Sequence, residues 1–150
     1  MQESQLPSWI NTKNVNIVYH KDFIPEKHLP CFSSTLIETY MTNIKDISEY
    51  FLYANDDLFV INKTVRKDWF ENGTPKIGRT RFTQCDDYFS QNCMRSWLLA
   101  TQEFKNNGKQ YRTLHGLNGM LKSSGLHLHE LYPSQIDKSS SMFRSDKDFN

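Results

Sequence analysis

Residues 50–54 (YFLYA), an uninterrupted aromatic and apolar run, constrain this chain most, because the run stops abruptly at Asn55-Asp56-Asp57. A run without polar alternation predicts a central strand covered on both faces. In open α/β sheets, ligands bind beyond the carboxyl ends of the strands, which is where the two aspartates fall. Hard cations such as Mg²⁺ take oxygen ligands, typically one or two carboxylates plus substrate phosphates. Neighbouring strand residues point to opposite faces, so Asp56 and Asp57 can serve one metal only if the chain turns there. Asn55 tolerates such a turn. A plain polar loop between two strands has the same appearance, and spacing alone does not separate the two.

The remaining chain reads as strands alternating with helices. Residues 14–19 (NVNIVY) read as a short strand with Val15, Ile17 and Tyr19 on one face. Thr35-x-x-Glu38 has the form of a capping box, opening a helix with Leu36, Ile37, Tyr40, Met41 and Ile44 at helical spacing. Thr64 is placed to cap a short helix through Trp69 and Phe70, stopped by Asn72-Gly73. Residues 76–91 read as an irregular or β-rich excursion, with Cys85-Asp86-Asp87 most simply a turn. Met94, Trp97, Leu98 and Phe104 fit a helix closed by Asn106-Asn107-Gly108, and residues 111–114 a further strand. Leu117, Met120, Leu121, Leu128 and Leu131 suggest a final helix, weakened by Gly119 and Gly125. The alternation points to an α/β layered domain with a largely parallel sheet and flanking helices, Rossmann-like.

Composition removes several classes. The 150 residues fit one domain with a real core. The 18 basic and 17 acidic side chains nearly cancel, without long blocks of one sign, which speaks against a non-specific nucleic-acid binder. There is no apolar run of the roughly 18 residues that a transmembrane helix needs. The polar start, with Glu3, is unlike a secretory signal. Cys31, Cys85 and Cys93 lack metal-ligand spacing and read as thiols in a reducing, cytoplasmic compartment. The sequons at Asn62 and Asn72 then read as turns.

From Trp9 to Phe70 the sequence resembles the Stealth family of capsular polysaccharide phosphotransferases. The resemblance is carried by Ile17-Val18-Tyr19-His20, Ile24-Pro25, Leu29-Pro30-Cys31-Phe32-Ser33-Ser34, Ile37-Glu38 and the stretch from Ile47 through Asn55-Asp56-Asp57. These match the family's second conserved block in order and spacing. His115-Gly116-Leu117, Glu130-Leu131-Tyr132-Pro133, Phe143-Arg144 and Asp148 look like its third block, with Leu117 in place of the usual Pro. The organisation implied is a partial catalytic domain, with 9–70 as the second block, 71–110 a variable excursion and helix, and 111–150 a third-block-like segment. The family's first and fourth blocks have no counterpart in these residues.

The resemblance implies a glycosyltransferase-A-like fold and transfer of a sugar-1-phosphate from a nucleotide sugar (UDP-GlcNAc-like) to a polysaccharide hydroxyl. It implies Mg²⁺ or Mn²⁺ on Asp56 and Asp57, with Asp57, His115 and Arg144 catalytic, and Asn55 and Asp56 at the donor. Read from the residues alone, Ser33 and Ser34 either reach a donor phosphate from a helix N-terminus, where backbone N–H groups favour anions, or are nothing more than capping residues. It also implies action at the cytoplasmic side of a membrane, and a complementary fragment or oligomer as partner. Phosphoryl transfer asks mainly for positioning and charge stabilisation. An Arg fork suits phosphate oxygens, and a His titrating near neutrality suits proton acceptance. The residues alone also fit a metal-dependent glycosyltransferase or a non-catalytic fragment. His115 read alone is a capping or surface residue, Arg144 a solvated side chain, and Glu38 only the capping partner of Thr35.

Overall fold

The computed structural model describes residues 5–81, 87–105 and 111–143. Its core is gathered by two segments far apart in sequence. Phe23, Ile24 and Cys31 come from a loop with two 3-10 turns (His20–Asp22 and Glu26–His28), Leu36 and Tyr40 from helix α1 (Ser34–Tyr40), and Ile136 from helix α5 (Pro133–Ser139). Val18, Leu29, Ile37 and Ile44 pack around them.

Helix α1 starts two residues earlier than a Thr35 cap would place it. Ser33 is its N-cap, with a side chain that accepts the Leu36 N–H at 3.5 Å. Thr35 therefore lies inside the helix, where Thr35 O accepts a hydrogen bond from the Thr39 hydroxyl at 2.8 Å. Leu36 and Tyr40, four apart, lie on its buried face, and the chain tightens into a 3-10 turn, Met41–Asn43. Residues 14–19 are not a strand. The Tyr19 N–H donates to Asp22 Oδ2 at 2.8 Å, which commits this stretch to the entry of a 3-10 turn rather than to a ladder.

Strand β1 (Tyr50–Tyr53) pairs antiparallel with β6 (Asn118–Leu121), in the register Tyr50↔Leu121 to Tyr53↔Asn118. The final apolar segment is therefore a strand followed by helix α4 (Lys122–Leu131), not one helix. The Lys122 N–H continues the ladder to Glu49 O at 2.9 Å, and the Glu49 carboxylate accepts the Ser123 N–H at the helix start. The two glycines mark close approaches. A Cβ at Gly119 would stand 2.9 Å from Trp69 O, and one at Gly125 would stand 2.3 Å from Thr42 Cγ2.

Between these strands lie α2 (Arg66–Trp69), β2 (Phe70–Glu71) and β3 (Thr74–Pro75). Val65, not Thr64, is the N-cap of α2, and its N–H donates to Asp68 Oδ2 at 2.9 Å. Asn72-Gly73 forms a hairpin turn between β2 and β3 rather than a helix stop. Both residues have positive φ, at 49° and 80°, as a two-residue hairpin loop of this kind requires. β4 (Arg79–Arg81) pairs antiparallel with β5 (Tyr111–Thr113), and α3 (Tyr88–Phe104) starts from an Asp87 N-cap whose carboxylate accepts the Ser90 N–H at 2.8 Å. Asp87 thus caps a helix, while Cys85, Asp86 and Asn106-Asn107-Gly108 lie outside the described residues.

The described chain is a mixture of helices and small strand pairs, all three pairs antiparallel. No parallel pair occurs among the described residues. Among the described residues β1 pairs with β6 alone, and Leu52 at its centre is 40% exposed, so the cover on both faces that the apolar run predicts is not seen among them.

Candidate functional site

The site lies where β1 ends. Past Tyr53 the chain turns, and Leu58 N–H donates to Asn55 O at 3.3 Å, with Asp56 and Asp57 in the turn. The turn releases the two aspartates from the alternating faces of a strand, and both are exposed. The triplet is a turn, as both sequence readings required.

The β1–β6 register brings the second component to it. Continued past the Tyr53↔Asn118 pair, the ladder would set Gly116 against Asn55 and His115 against Asp56. His115 stands in the connection between β5 and β6. On one side of it Leu114 N–H donates to Gly78 O at 2.8 Å, and on the other Asn118 Nδ2 donates to Gly116 O at 2.9 Å. From this anchored loop, His115 Nε2 touches Asn55 Nδ2 and lies 3.9 Å from Asp57 Oδ1. Asn55, Asp57 and His115, separated by about 60 positions in sequence, are therefore together.

The other expected residues fare differently. Ser33 is 1% exposed, with its hydroxyl capping α1, and Ser34 is half-buried. Arg144 lies outside the described residues. Glu38 is not a capping partner. It sits in the second turn of α1, half-buried, and its Oε1 accepts the Tyr53 hydroxyl at 2.7 Å. Burial first, then the bond to Glu38, then the charges of Glu38 and Asp56 push the Tyr53 hydroxyl far above its usual range. A negative field from the turn thus reaches Tyr53. The Thr35-x-x-Glu38 pattern assigns Glu38 to a capping box and so conceals its bond to Tyr53. The serine pair before Thr35, each a good N-cap, was the signal that the helix starts earlier.

Among the described residues, no three His, Cys, Asp or Glu side chains converge as a metal cage. Two exposed carboxylates at one turn do fit a Mg²⁺-like ion, which keeps waters and takes further oxygens from substrate phosphates. They do not fit a closed tetrahedral zinc site. Cys31 and Cys93 are buried thiols outside any disulfide among the described residues. His127 and His129 lie apart on α4, the first facing Glu130 and the second donating to Thr39 O at 2.8 Å, as a helix there requires. No helix among the described residues is long and apolar enough to cross a membrane.

Comparison with known proteins adds the context for this geometry. Residues 1–77 match the family model for Stealth protein CR2, conserved region 2. The exopolysaccharide phosphotransferase cps2G of Lactiplantibacillus plantarum is 40% identical over 77 residues, which is 49% of this chain and 23% of that protein. The capsular polysaccharide phosphotransferase SacB of Neisseria meningitidis serogroup A is 30% identical over 143 residues, covering 88% of this chain and 26% of that protein. WcwK of Streptococcus pneumoniae, also named a capsular polysaccharide phosphotransferase, is 37% identical over 76 residues, 49% of this chain and 23% of that protein. The chain spans about a quarter of the length of these relatives. With half of its residues matched by one family model, and the Asn-Asp-Asp turn inside the matched half, the chain belongs to the Stealth family.

Proposed function

We propose that this chain is part of the catalytic unit of a sugar-1-phosphate transferase acting in capsule or surface polysaccharide synthesis. The donor is a nucleotide sugar of the UDP-GlcNAc type, the acceptor a polysaccharide hydroxyl, and the leaving group a nucleoside monophosphate. The observation that carries the reading is the meeting of Asp57 and His115 at the end of β1, in a chain similar to proteins named phosphotransferases.

In this reading Asp56 and Asp57 hold Mg²⁺ or Mn²⁺, which when bound would offset the charge of the donor diphosphate. His115 Nε2 accepts the proton of the acceptor hydroxyl. Arg144 brings a forked guanidinium to the phosphate oxygens. Of the two serines, Ser34 has more surface to offer a phosphate, since Ser33 is buried. The half-buried Glu38 and Tyr53 brace the strand end that carries the carboxylates.

The layered, largely parallel sheet, Rossmann-like and glycosyltransferase-A-like, belongs to the same proposal. The side of β1 away from β6 is where further strands would join, from segments such as the longer relatives carry or from a complementary chain. Its place of work would be the cytoplasm or the inner face of a membrane, where nucleotide sugars are available.

Titration with UDP-GlcNAc, with and without Mn²⁺, in wild type and Asp57→Asn tests the reading. Metal-dependent binding that the variant loses supports it; equal binding by both, or tight binding without metal, refutes it. Product analysis separates it from a glycosyltransferase, which would release the nucleoside diphosphate and leave no phosphate in the product.

A further inference from the structure

The contact between Asn55 and His115 carries information about a proton. Asn55 Nδ2 touches His115 Nε2. An amide nitrogen only donates, and in a neutral imidazole one ring nitrogen donates while the other accepts. With the amide in this orientation, Nε2 is the acceptor. If Nε2 carried the proton, two N–H donors would face each other at contact distance. Asp57 Oδ1, at 3.9 Å from the same nitrogen, is beyond hydrogen-bond reach and does not compete in the neutral ring.

We infer that Asn55 is a positioning residue that holds His115 as its Nδ1–H tautomer, leaving the Nε2 lone pair as the proton-accepting site. The backbones on both sides are anchored, by the Leu58 N–H on Asn55 O and by the contacts at Leu114 and Gly116 that flank His115. The side-chain contact is therefore launched from two fixed points. An imidazole exposed to water and left alone favours the Nε2–H form, and the His115 side chain is 63% exposed. The tautomer imposed by Asn55 is thus the opposite of the default. A turned-over amide, with Oδ1 on Nε2, would select the default, so the tautomer reads out which way the amide points.

The chemical consequence rests on the transferase reading, although the tautomer itself does not. The Asn55 N–H occupies the place an acceptor O–H would take on Nε2. When the hydroxyl replaces it, the proton passes to Nε2 and the hydroxyl oxygen bonds to phosphorus. The bond from phosphorus to the nucleoside monophosphate oxygen breaks, and its electron pair leaves with that oxygen. The charge of the protonated ring then lies 3.9 Å from the Asp57 carboxylate, which offsets it.

The test is ¹⁵N NMR of the whole chain labelled at histidine, without metal or nucleotide sugar, at about pH 8, where an ordinary imidazole is neutral. His115→Gln assigns the resonances. The expected wild-type result is a pyridine-like Nε2 and a pyrrole-like Nδ1 for His115. In Asn55→Ala and in the nearly isosteric Asn55→Asp the pattern reverses, while the His28 and His129 resonances and the far-UV spectrum stay in place. A wild-type ring with Nε2–H, an even mixture, or an Nδ1–H form that persists in both variants overturns the inference. Failure of the transferase reading is seen separately, in the Mn²⁺ and UDP-GlcNAc titration of the unlabelled wild type.

Discussion

The Tyr53 hydroxyl donates to Glu38 Oε1 at 2.7 Å, and so fastens helix α1 to the last residue of β1, two positions before the Asn-Asp-Asp turn. One side chain comes from the helix that organises the core and the other from the strand that carries the carboxylates. Any displacement of the strand end relative to α1 breaks this bond.

Tyr53→Phe removes the hydroxyl and little else, leaving a half-buried carboxylate oxygen without this donor. The expected loss is about 1.5 kcal/mol of unfolding free energy, since hydrogen bonds to charged groups fall near that value. Urea denaturation monitored by circular dichroism measures it. An unchanged midpoint would mean that the bond is not part of the folding free energy.

Gly125→Ala tests the close approach of α4 to the 3-10 turn at Met41–Asn43. On an exposed helix this change is favourable by nearly 1 kcal/mol. Here the new methyl would stand 2.3 Å from Thr42 Cγ2, and Thr42 is 1% exposed, with no room to give way. Net destabilisation of about 1–3 kcal/mol is expected, as for overpacked cores. Thr42→Ser removes the clashing methyl and is expected to restore part of the loss in the double variant, read from thermal midpoints.

His28 makes stability depend on pH. Its side chain is 7% exposed, tilted against the Tyr40 ring at 5.6 Å, with Nε2 3.4 Å from Asp137 Oδ1. Burial, followed by the Lys27 charge, lowers its pKa, against the smaller opposing pull of Asp137. The folded state therefore resists taking up a proton that the unfolded chain accepts. Its stabilising contribution is complete above the ordinary histidine value of about 6.5 and is lost as pH falls through the lower folded value. The thermal midpoint is expected to drop as pH falls below about 6.5, and His28→Gln to flatten that drop. An equal slope in both proteins would exclude His28 as its source.

Asp57→Asn keeps the size of the side chain and removes one charge from the turn. Under the proposed function, Mn²⁺-dependent affinity for UDP-GlcNAc is expected to fall at least about tenfold, or roughly 1.4 kcal/mol. Thermal unfolding is expected to stay nearly unchanged, because the aspartate is exposed and makes no contact with the core. Calorimetric titration beside a thermal scan separates the two effects.

Local sequence signals suffice where short-range chemistry decides the outcome. The apolar run of β1, its abrupt end in a turn and the long helix through Trp97 all rest on periodicity and turn residues, and all are present. They do not suffice where two local signals compete or where a distant segment decides. Ser33 and Thr35 both look like N-caps, and choosing Thr35 hid the contact of Glu38 with Tyr53. Gly119 looked like a weak point in a helix, although it is a strand residue that lets the Trp69 carbonyl pass close by. Nothing local marks Asn118–Leu121 as a strand; pairing with β1 makes it one.

The site was half legible. Asn55, Asp56 and Asp57 stood out by position at a strand end. His115, a lone histidine in a loop, was singled out only through its resemblance to a family motif. Its place beside Asn55 comes from a ladder register that no local rule specifies.

The long separation between the two halves of this site has a consequence for how the protein comes into being. The turn with its carboxylates leaves the ribosome about 60 residues before His115 does. β6 emerges after both, so the ladder that holds them together forms late. Until then the nascent chain carries an acidic loop without its imidazole. The pairing of β1 with β6 is thus also the moment at which Asn55 and Asp57 meet His115.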